Sequence, residues 1–267
     1  FRAYADAMPN NCVFLVDTYD TLEGVRKAAR IGRELKQNGH KMVGIRLDSG
    51  DLAYLSIEAR KILDEAGLED AAIVASNDLD ENIIESLQQQ GAKIGVWGVG
   101  TKLVTAYDQP AMGGVYKLAA IREGEGVDEK WRYTLKLSEQ AIKISNPGVQ
   151  QVRRFARGGK FLGDMIYNEA EPMQDDRKLV DPADMTRTKK IAAEAEHEDL
   201  LVPVMREGEF VYEEPGMEAI RARTQQQLAG LHSSIRRFMN PHEYPVGLET
   251  GLHQMKTNLI LKARGLI

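Results

Sequence analysis

The segment Met42–Ala66, MVGIRLDSGDLAYLSIEARKILDEA, decides the predicted fold of this chain. It opens with the apolar run Met42–Leu47, which has the length and the Val/Ile content of a strand buried on both faces. A helical pattern follows over Leu52–Ala66, where apolar residues recur every three or four positions. The short polar stretch between them predicts a strand that turns directly into a helix.

The same strand-and-helix unit recurs along the first half of the chain. Three more short apolar runs predict strands at Cys12–Val16, Ala71–Ala75 and Ile94–Trp97, with helices over Thr21–Gln37 and Asp80–Gln90 between them. Such alternation predicts parallel strands joined by right-handed crossovers. Two α/β architectures satisfy this pattern, a (β/α) barrel and a doubly wound sheet.

The second half of the chain has a different, mixed organisation. The patterns predict antiparallel strands at Val115–Ile121 and Trp131–Leu137 around a turn-rich stretch at Glu123–Lys130, short strands at Val152–Phe155 and Lys160–Tyr167, and helices at Met217–Met239 and Gly251–Ala263. We therefore predict two regions, residues 1–120 carrying the α/β part and residues 121–267 forming a mixed α+β region.

Composition excludes several classes of protein. The 267 residues carry a formal net charge of −5, which disfavours a generic nucleic-acid binder. The sequence has no apolar run long enough for a transmembrane helix, so no membrane partner is expected. The single cysteine, Cys12, excludes an intrachain disulfide framework and a multi-cysteine zinc site. A cytoplasmic location is expected.

Polar residues follow each predicted strand, at the end where parallel α/β proteins bind ligands. These stretches are Asp17–Asp20, Arg46–Asp51, Ser76–Asp78 and Gly98–Thr101. Carboxylates can accept hydrogen bonds from ribose hydroxyls or hold Mg²⁺. A glycine-rich turn before a helix offers backbone N–H groups to a phosphate. The combination suits a substrate that carries hydroxyls, phosphates and a divalent cation.

Each of these residues also has a purely structural interpretation. Asp17 or Asp20 could cap the helix that begins at Thr21, and Asp51 and Asp78 could be helix caps or turn formers. Arg46 and Asp48 are different, because they flank Leu47 on one strand and point to the same face. Charges on such a face are costly unless they are paired or used on a ligand, which favours a functional role.

Other polar groups carry weaker signals. The five histidines match no catalytic triad pattern, and we interpret them as structural or solvated. The basic residues Arg153, Arg154, Arg157 and Lys160 are interpreted as a solvated face, with a phosphate clamp as the functional alternative.

Four sequence blocks resemble nicotinate phosphoribosyltransferases. They are LVDTYDT at Leu15–Thr21, GIRLDSGDLAYLS at Gly44–Ser56, IVASNDLDE at Ile73–Glu81 and GVGTKLVTAYDQPAMGGVYKL at Gly98–Leu118. The resemblance implies the type II phosphoribosyltransferase fold, an irregular (β/α) barrel with a mixed α+β C-terminal region. It implies an enzyme of NAD salvage, commonly a homodimer, that forms nicotinate mononucleotide from nicotinate and phosphoribosyl pyrophosphate with ATP hydrolysis.

The resemblance also implies roles for individual residues. Asp17 would lie near the pyrophosphate and a possible Mg²⁺, Arg46 would pack by the pyridine ring and contact phosphate, and Asp48 would bind the ribose hydroxyls. Further substrate-binding positions implied by the same blocks are Thr18, Ser49, Gly50, Ser76, Asn77, Gly98, Gly100 and Thr101.

One part of the family pattern would fall upstream of Phe1. The family's phosphoacceptor histidine and the residues that hold the pyridine carboxylate precede the helix that ends in FRAYADAMP. The chain is therefore expected to be a C-terminal part of the enzyme, inactive on its own. Three alternatives stay open: a related phosphoribosyltransferase that uses nicotinamide or quinolinate, another phosphate-binding barrel such as an isomerase or aldolase, and a non-catalytic folding or dimerisation unit.

Overall fold

The computed structural model describes residues 1–122, 124, 130–140 and 143–267. These residues form two compact units, Phe1–Gly113 and Gly114–Ile267, and both mix helices with strands. The mixed α/β character predicted from the sequence is therefore confirmed. The predicted domain boundary at residue 120 stays a prediction.

The first unit contains a four-stranded parallel sheet in the order β1-β2-β3-β4. Its strands are β1 (Val13–Leu15), β2 (Gly44–Leu47), β3 (Ala72–Ala75) and β4 (Val96–Trp97), and its helices are α1 (Arg2–Ala7), α2 (Thr21–Gln37), α3 (Leu52–Glu65), α4 (Glu81–Gln89) and α5 (Thr101–Val104). Spatial order follows chain order, as expected for successive βα units.

Aspartate caps set the starts of the three long helices of this unit. The Asp20 carboxylate accepts a hydrogen bond from the Glu23 amide at 2.7 Å, and Asp51 accepts one from Tyr54 at 3.0 Å. Asp80 caps α4, so of the two structural roles predicted for Asp78, helix cap and turn former, Asp78 has the second. Asp78 lies in the preceding turn with φ of +50°, a conformation that aspartate tolerates better than most residues.

The helices cover one face of this sheet. Phe14, Ile45 and Ile73 are buried in a single core with residues of α2 and α3 such as Val25 and Leu63. The opposite face carries an in-register row, formed by Leu15, Arg46, Val74 and Val96. Leu15 and Val96 are exposed on that face. The sheet is thus singly wound and open, and the described residues do not close it into the predicted barrel.

The second unit is built on a six-stranded sheet in the order β10-β9-β14-β8-β7-β11. Its strands are β7 (Gln150–Arg157), β8 (Lys160–Asn168), β9 (Lys178–Val180), β10 (Thr188–Lys190), β11 (Glu196–Asp199) and β14 (Val246–Leu248). Smaller pairs are β5 (Ala120–Ile121) with β6 (Arg132–Tyr133), and β12 (Met205–Arg206) with β13 (Glu209–Phe210). The helices are α6 (Met217–Gly230), α7 (Ser233–Arg236) and α8 (Thr250–Ala263).

Several predicted elements of this unit need correction. The hairpin of β7 and β8 is longer than predicted, because its pairing extends from Gln150–Asn168 to Arg157–Lys160. The strands predicted at Val115–Ile121 and Trp131–Leu137 pair over only two residues each. Most of the turn predicted at Glu123–Lys130 lies outside the described residues.

The long helix predicted over Met217–Met239 is also wrong in extent. It ends at Gly230, after which Leu231 adopts an extended conformation with φ of −75° and ψ of 142°. Gly230 packs against the ring of Phe161, where a Cβ would lie 2.5 Å from the nearest ring atom. The helix therefore ends at a glycine whose position against Phe161 leaves no room for a larger side chain.

The basic residues of β7 and β8 are engaged by the protein itself. Arg153 pairs with Asp199 at 2.9 Å, and Arg157 pairs with Glu194. Arg154 makes a two-pronged ion pair with the buried Asp164, at 2.9 and 2.7 Å. This pairing argues against a phosphate clamp. The solvated face predicted for the group is wrong for Arg153 and Arg154, whose side chains are only 15% and 20% exposed. Within the part of the chain that the structure describes, no helix combines the length and the apolarity needed to span a membrane.

Candidate functional site

The carboxyl ends of β1, β2 and β3 bring together the charged residues singled out in the sequence. Asp17 follows β1, Arg46 and Asp48 lie at the end of β2, and Ser76 follows β3. Since these strands are neighbours and parallel, their carboxyl ends meet at one edge of the sheet. Hydrogen bonds join the side chains of Arg46, Asp48 and Ser76, and the Asp17 carboxylate binds the backbone amide of Asp48.

Asp17 ties the end of β1 to the end of β2. Its Oδ2 accepts a hydrogen bond from the Asp48 amide at 2.7 Å and another from the Ser49 hydroxyl at 2.8 Å. Asp17 is half-buried, and Asp20, not Asp17, caps α2. Its carboxylate therefore fixes the loop that carries Asp48.

Ser76 joins Arg46 to Asp48. The Arg46 Nε donates to the Ser76 hydroxyl at 3.0 Å, and that hydroxyl donates to Oδ1 of Asp48. Arg46 Nη2 also lies 3.3 Å from the same Asp48 oxygen. The hydrogen bond from Ser76 and then the Arg46 charge hold the pKa of Asp48 below its ordinary value. Asp48 is thus kept as a carboxylate, an acceptor for hydroxyl groups.

These side chains are partly open to solvent. Arg46 and Asp48 are 45% and 42% exposed, so a ligand can reach both. The expectation that they share one face is met by their direct contact. Thr18 and Ser49 are exposed at the same edge of the sheet.

Backbone conformation shapes the other predicted positions. Gly50 has φ of +78°, and Asn77 has φ of +90°, so the loops after β2 and β3 both turn through the left-handed region. Such turns keep the loops close to the strand ends.

The turn after β4 carries the predicted phosphate-binding residues. The Gly98 amide donates to the carbonyl of Ala75 at 2.7 Å, which places this turn beside the end of β3. A Cβ at Gly100 would meet nothing within 4 Å, so the turn is open there. Thr101 is exposed and begins α5. The turn therefore lies next to Ser76, with Gly100 and Thr101 exposed.

Sequence reasoning missed one ion pair of this region. Lys102 Nζ lies 2.5 Å from Oδ2 of Asp80, the residue that caps α4. The sequence pattern predicts Asp80 as the first residue of a helix, and Lys102 directly follows Thr101, a predicted substrate-binding residue. Asp80 and Lys102 are 22 residues apart, and no local sequence pattern indicates that their side chains are in contact.

The residues at this edge fit a magnesium site of the kind that a substrate completes. Asp17 supplies one carboxylate, and the described residues contain no cluster of three or more His, Cys, Asp or Glu side chains able to hold a metal ion. Mg²⁺ is commonly bound through one or two carboxylates together with substrate phosphates. The donor set suits such a shared ion and does not suit a metal held by protein alone.

Fold and site together define an α/β protein whose strand ends carry an exposed Arg–Ser–Asp group beside a glycine turn. Comparison with known proteins shows which proteins this chain is similar to. Residues 149–256 match the model of the nicotinate phosphoribosyltransferase C-terminal domain. The resemblance of this chain to nicotinate phosphoribosyltransferases, predicted from its sequence blocks, is confirmed.

Relatives from distant organisms carry the same name. The chain is 44% identical to nicotinate phosphoribosyltransferase of Bacillus subtilis over 93% of its own length and 50% of that protein's. It is 36% identical to the Dictyostelium discoideum enzyme over 98% of this chain and 46% of the relative. The crystal structure of human nicotinic acid phosphoribosyltransferase matches 97% of this chain and 49% of its own, with 28% identity and a TM-score of 0.72. The chain spans about half the length of the curated relatives it matches.

Proposed function

We propose that this chain forms the phosphoribosyl-binding part of a nicotinate phosphoribosyltransferase. The whole enzyme would form nicotinate mononucleotide and pyrophosphate from nicotinate and phosphoribosyl pyrophosphate, coupled to ATP hydrolysis, in NAD salvage. The observation that carries the proposal is the linked group of Asp17, Arg46, Asp48 and Ser76 in a chain so similar to enzymes of that name.

The reaction explains the chemistry of these residues. Displacement of pyrophosphate from C1 of the ribose passes through a cationic, oxocarbenium-like centre. An enzyme accelerates such a step by positioning both reactants and by stabilising the charges that develop. Little proton transfer is needed at the attacking pyridine nitrogen, so carboxylates, a guanidinium and backbone amides are more useful than a nucleophile and its base.

Arg46 and Asp48 would bind different parts of the substrates. The planar guanidinium can stack on the pyridine ring and also fork onto a phosphate, which a lysine ammonium cannot do. Asp48 would accept hydrogen bonds from the ribose hydroxyls, for which its lowered pKa keeps it ionised. Ser76 would hold the two groups in a fixed relation while their remaining hydrogen-bonding positions face the ligand.

The two ends of the phosphoribosyl substrate would be bound at different strand ends. Asp17 would hold Mg²⁺, with Thr18, Ser49 and Gly50 lining the loops beside the pyrophosphate. The ion, when bound, would neutralise charge on the leaving group. The amides of Gly100 and Thr101 would bind the 5′-phosphate, and Asn77 would lie between this turn and the ribose.

The fold supports the architectural part of the proposal. A parallel sheet wound in chain order, with its long helices α2, α3 and α4 packed in one core, is the geometry of a (β/α) barrel segment. A doubly wound sheet would place helices on both faces. We propose that the open row of Leu15, Arg46, Val74 and Val96 faces the interior of such a barrel. A homodimer and a cytoplasmic location belong to the same proposal.

The decisive experiment is an assay of the natural protein that contains this chain. It would receive phosphoribosyl pyrophosphate, Mg²⁺ and one of three pyridines, namely nicotinate, nicotinamide or quinolinate, each with and without ATP. We expect nicotinate mononucleotide to form with nicotinate, faster when ATP is present. A preference for nicotinamide or quinolinate would identify a related phosphoribosyltransferase instead. Absence of any pyridine nucleotide product with all three would overturn the proposal.

A further inference from the structure

The glycine turn after β4 has little of its own to hold it in place. Helix α5, which follows it, is four residues long and has no buried residue. A Cβ added at Gly100 would meet nothing within 4 Å, and only Val99 of the turn packs on the core, where it is partly buried. The hydrogen bond from the Gly98 amide to the Ala75 carbonyl fixes the start of the turn but not its end.

The ion pair of Asp80 with Lys102 supplies the missing attachment. Lys102 directly follows Thr101, and its ammonium lies 2.5 Å from the Asp80 carboxylate. The two side chains are only 26% and 19% exposed, and the ammonium also lies 5.4 Å from the centre of the Tyr107 ring. A pair that is mostly shielded from water is screened less by salt than an exposed one.

Asp80 is itself held rigidly. Its Oδ1 accepts the amide of Ile83 at 2.8 Å, so the carboxylate caps α4 with one oxygen and binds Lys102 with the other. The preceding Leu79 is 1% exposed, and Ile83 packs against the core of the first unit. The hydrogen bond from Lys102 lowers the pKa of Asp80, and the same bond raises the pKa of Lys102. Both groups therefore stay charged near neutral pH.

We infer that the Asp80–Lys102 ion pair is a positioning device that fixes the Gly98–Thr101 turn against the loop after β3. Both segments carry residues assigned above to the phosphoribosyl substrate, so the inference rests on the proposed function. The pair would act on binding through the turn and not by touching the substrate, since the Lys102 ammonium is already bound by a carboxylate.

Two single variants and their combination test this inference in the natural protein. Asp80→Asn keeps a side chain that caps helices well but removes the charge. Lys102→Met keeps the length of the stem and removes the ammonium. We expect each to raise KM for phosphoribosyl pyrophosphate about tenfold, the scale of one charged hydrogen bond. KM for nicotinate should change by less than about twofold, and the double variant should be no worse than either single one.

Hydrogen exchange gives a second readout that needs no substrate. Amides of residues 98–104 should exchange faster in both single variants, while those of α3 should keep their parental rates. Lys61→Met is the matched control, because Lys61 pairs with Glu58 at 2.6 Å on the exposed surface of α3. It should leave both KM values and the exchange of residues 98–104 unchanged.

The outcomes separate this inference from the proposed function. If Lys102→Met weakens substrate binding strongly while Asp80→Asn leaves it unchanged or tightens it, Lys102 is a direct phosphate ligand and the inference is wrong. Unchanged KM and exchange in both variants would also overturn it, with the proposed function intact. A parent protein that does not bind phosphoribosyl pyrophosphate would overturn the proposed function and this inference with it, whatever the exchange rates.

Discussion

Arg46 shows how one side chain is prepared for two partners. Its Nε is engaged by the Ser76 hydroxyl, which leaves the outer nitrogens to meet Asp48 and a ligand. A guanidinium held at one edge has a defined plane, and a flat face is what a pyridine ring would stack on. The orientation of the plane therefore depends on a residue from the neighbouring strand.

Arg46→Lys should be costly although it conserves charge. Lysine loses the Nε bond to Ser76, the stacking face and one of two aligned bonds to phosphate. We expect a loss of about 2–3 kcal/mol in transition-state stabilisation. Steady-state kinetics with each substrate varied in turn would show the loss in kcat/KM for nicotinate and for phosphoribosyl pyrophosphate. A loss seen only for phosphoribosyl pyrophosphate would show that Arg46 contacts phosphate and not the pyridine ring.

Asp48→Asn tests the acceptor role of the carboxylate. The variant keeps the shape of the side chain but removes the charge that binds Arg46 and Ser76. We expect kcat/KM for phosphoribosyl pyrophosphate to fall about 10²-fold, the scale of a charged group lost beside a reacting centre. Asp70→Asn is a suitable control, since Asp70 is exposed and pairs with Lys41 before β3 begins. Equal activities of the two variants would remove Asp48 from the site.

At the level of residues, the sequence predicts positions better than contacts. The period of a strand places Arg46 and Asp48 on one face, and the structure has them in contact. The bridge through Ser76 depends on the register between β2 and β3, which a local pattern does not contain. The Asp80–Lys102 pair was missed for the same reason.

Among the elements, helix α2 lies unusually close to the strand that precedes it. A Cβ added to Gly24 would stand 2.1 Å from the carbonyl oxygen of Val16, a backbone atom that has little freedom to move. Glycine at this position therefore allows the first turns of α2 to approach the end of β1. That close approach sets where the Asp17–Asp20 loop can run.

Gly24→Ala should destabilise the protein, although alanine has a higher helix propensity than glycine. Alanine gains about 0.5–1 kcal/mol over glycine inside a helix. The clash with Val16 should outweigh this gain and lower the free energy of unfolding by about 2 kcal/mol, typical of overpacking. Denaturant titration would measure the change. Gly95→Ala, where a Cβ would meet nothing within 4 Å, should change stability far less.

Elements of the first unit were easier to predict than those of the second. Helix α2 has the predicted bounds of Thr21–Gln37, because its apolar stripe and its aspartate cap are both local signals. Strand β14 was not predicted, since it pairs with the distant β8 and is only three residues long. Helix α6 ends where Phe161 packs, which its own sequence does not record.

On the scale of whole-molecule stability, a buried lysine gives the second unit a distinctive pH dependence. Lys256 is 8% exposed, and its ammonium donates to the Ile144 carbonyl at 3.3 Å and to Asn146 at 2.8 Å. Burial lowers the pKa of Lys256 from its ordinary value of 10.5. Between the lowered pKa and 10.5, the unfolded chain binds one more proton than the folded chain, so stability from this group rises with pH.

The variant Lys256→Met should isolate this effect. We expect the difference in free energy of unfolding, parent minus variant, to increase as pH rises toward 10.5, over the range between the lowered pKa and the ordinary one. Denaturant titrations at several pH values would measure it. Lys189, whose pKa is also lowered by burial, is present in both proteins and so cancels in the difference. A difference that stays flat over this range would show that Lys256 titrates normally.

The open row of the parallel sheet has a consequence for protein engineering. Leu15 and Val74 flank Arg46 directly in the register of the sheet, and neighbouring strands lie about 4.8 Å apart. Neither side chain takes part in the hydrogen bonds that orient the guanidinium. Substitutions at these two positions would therefore change the size and polarity of the space beside Arg46 while keeping its orientation. They are the natural sites for a library that seeks acceptance of altered pyridine rings.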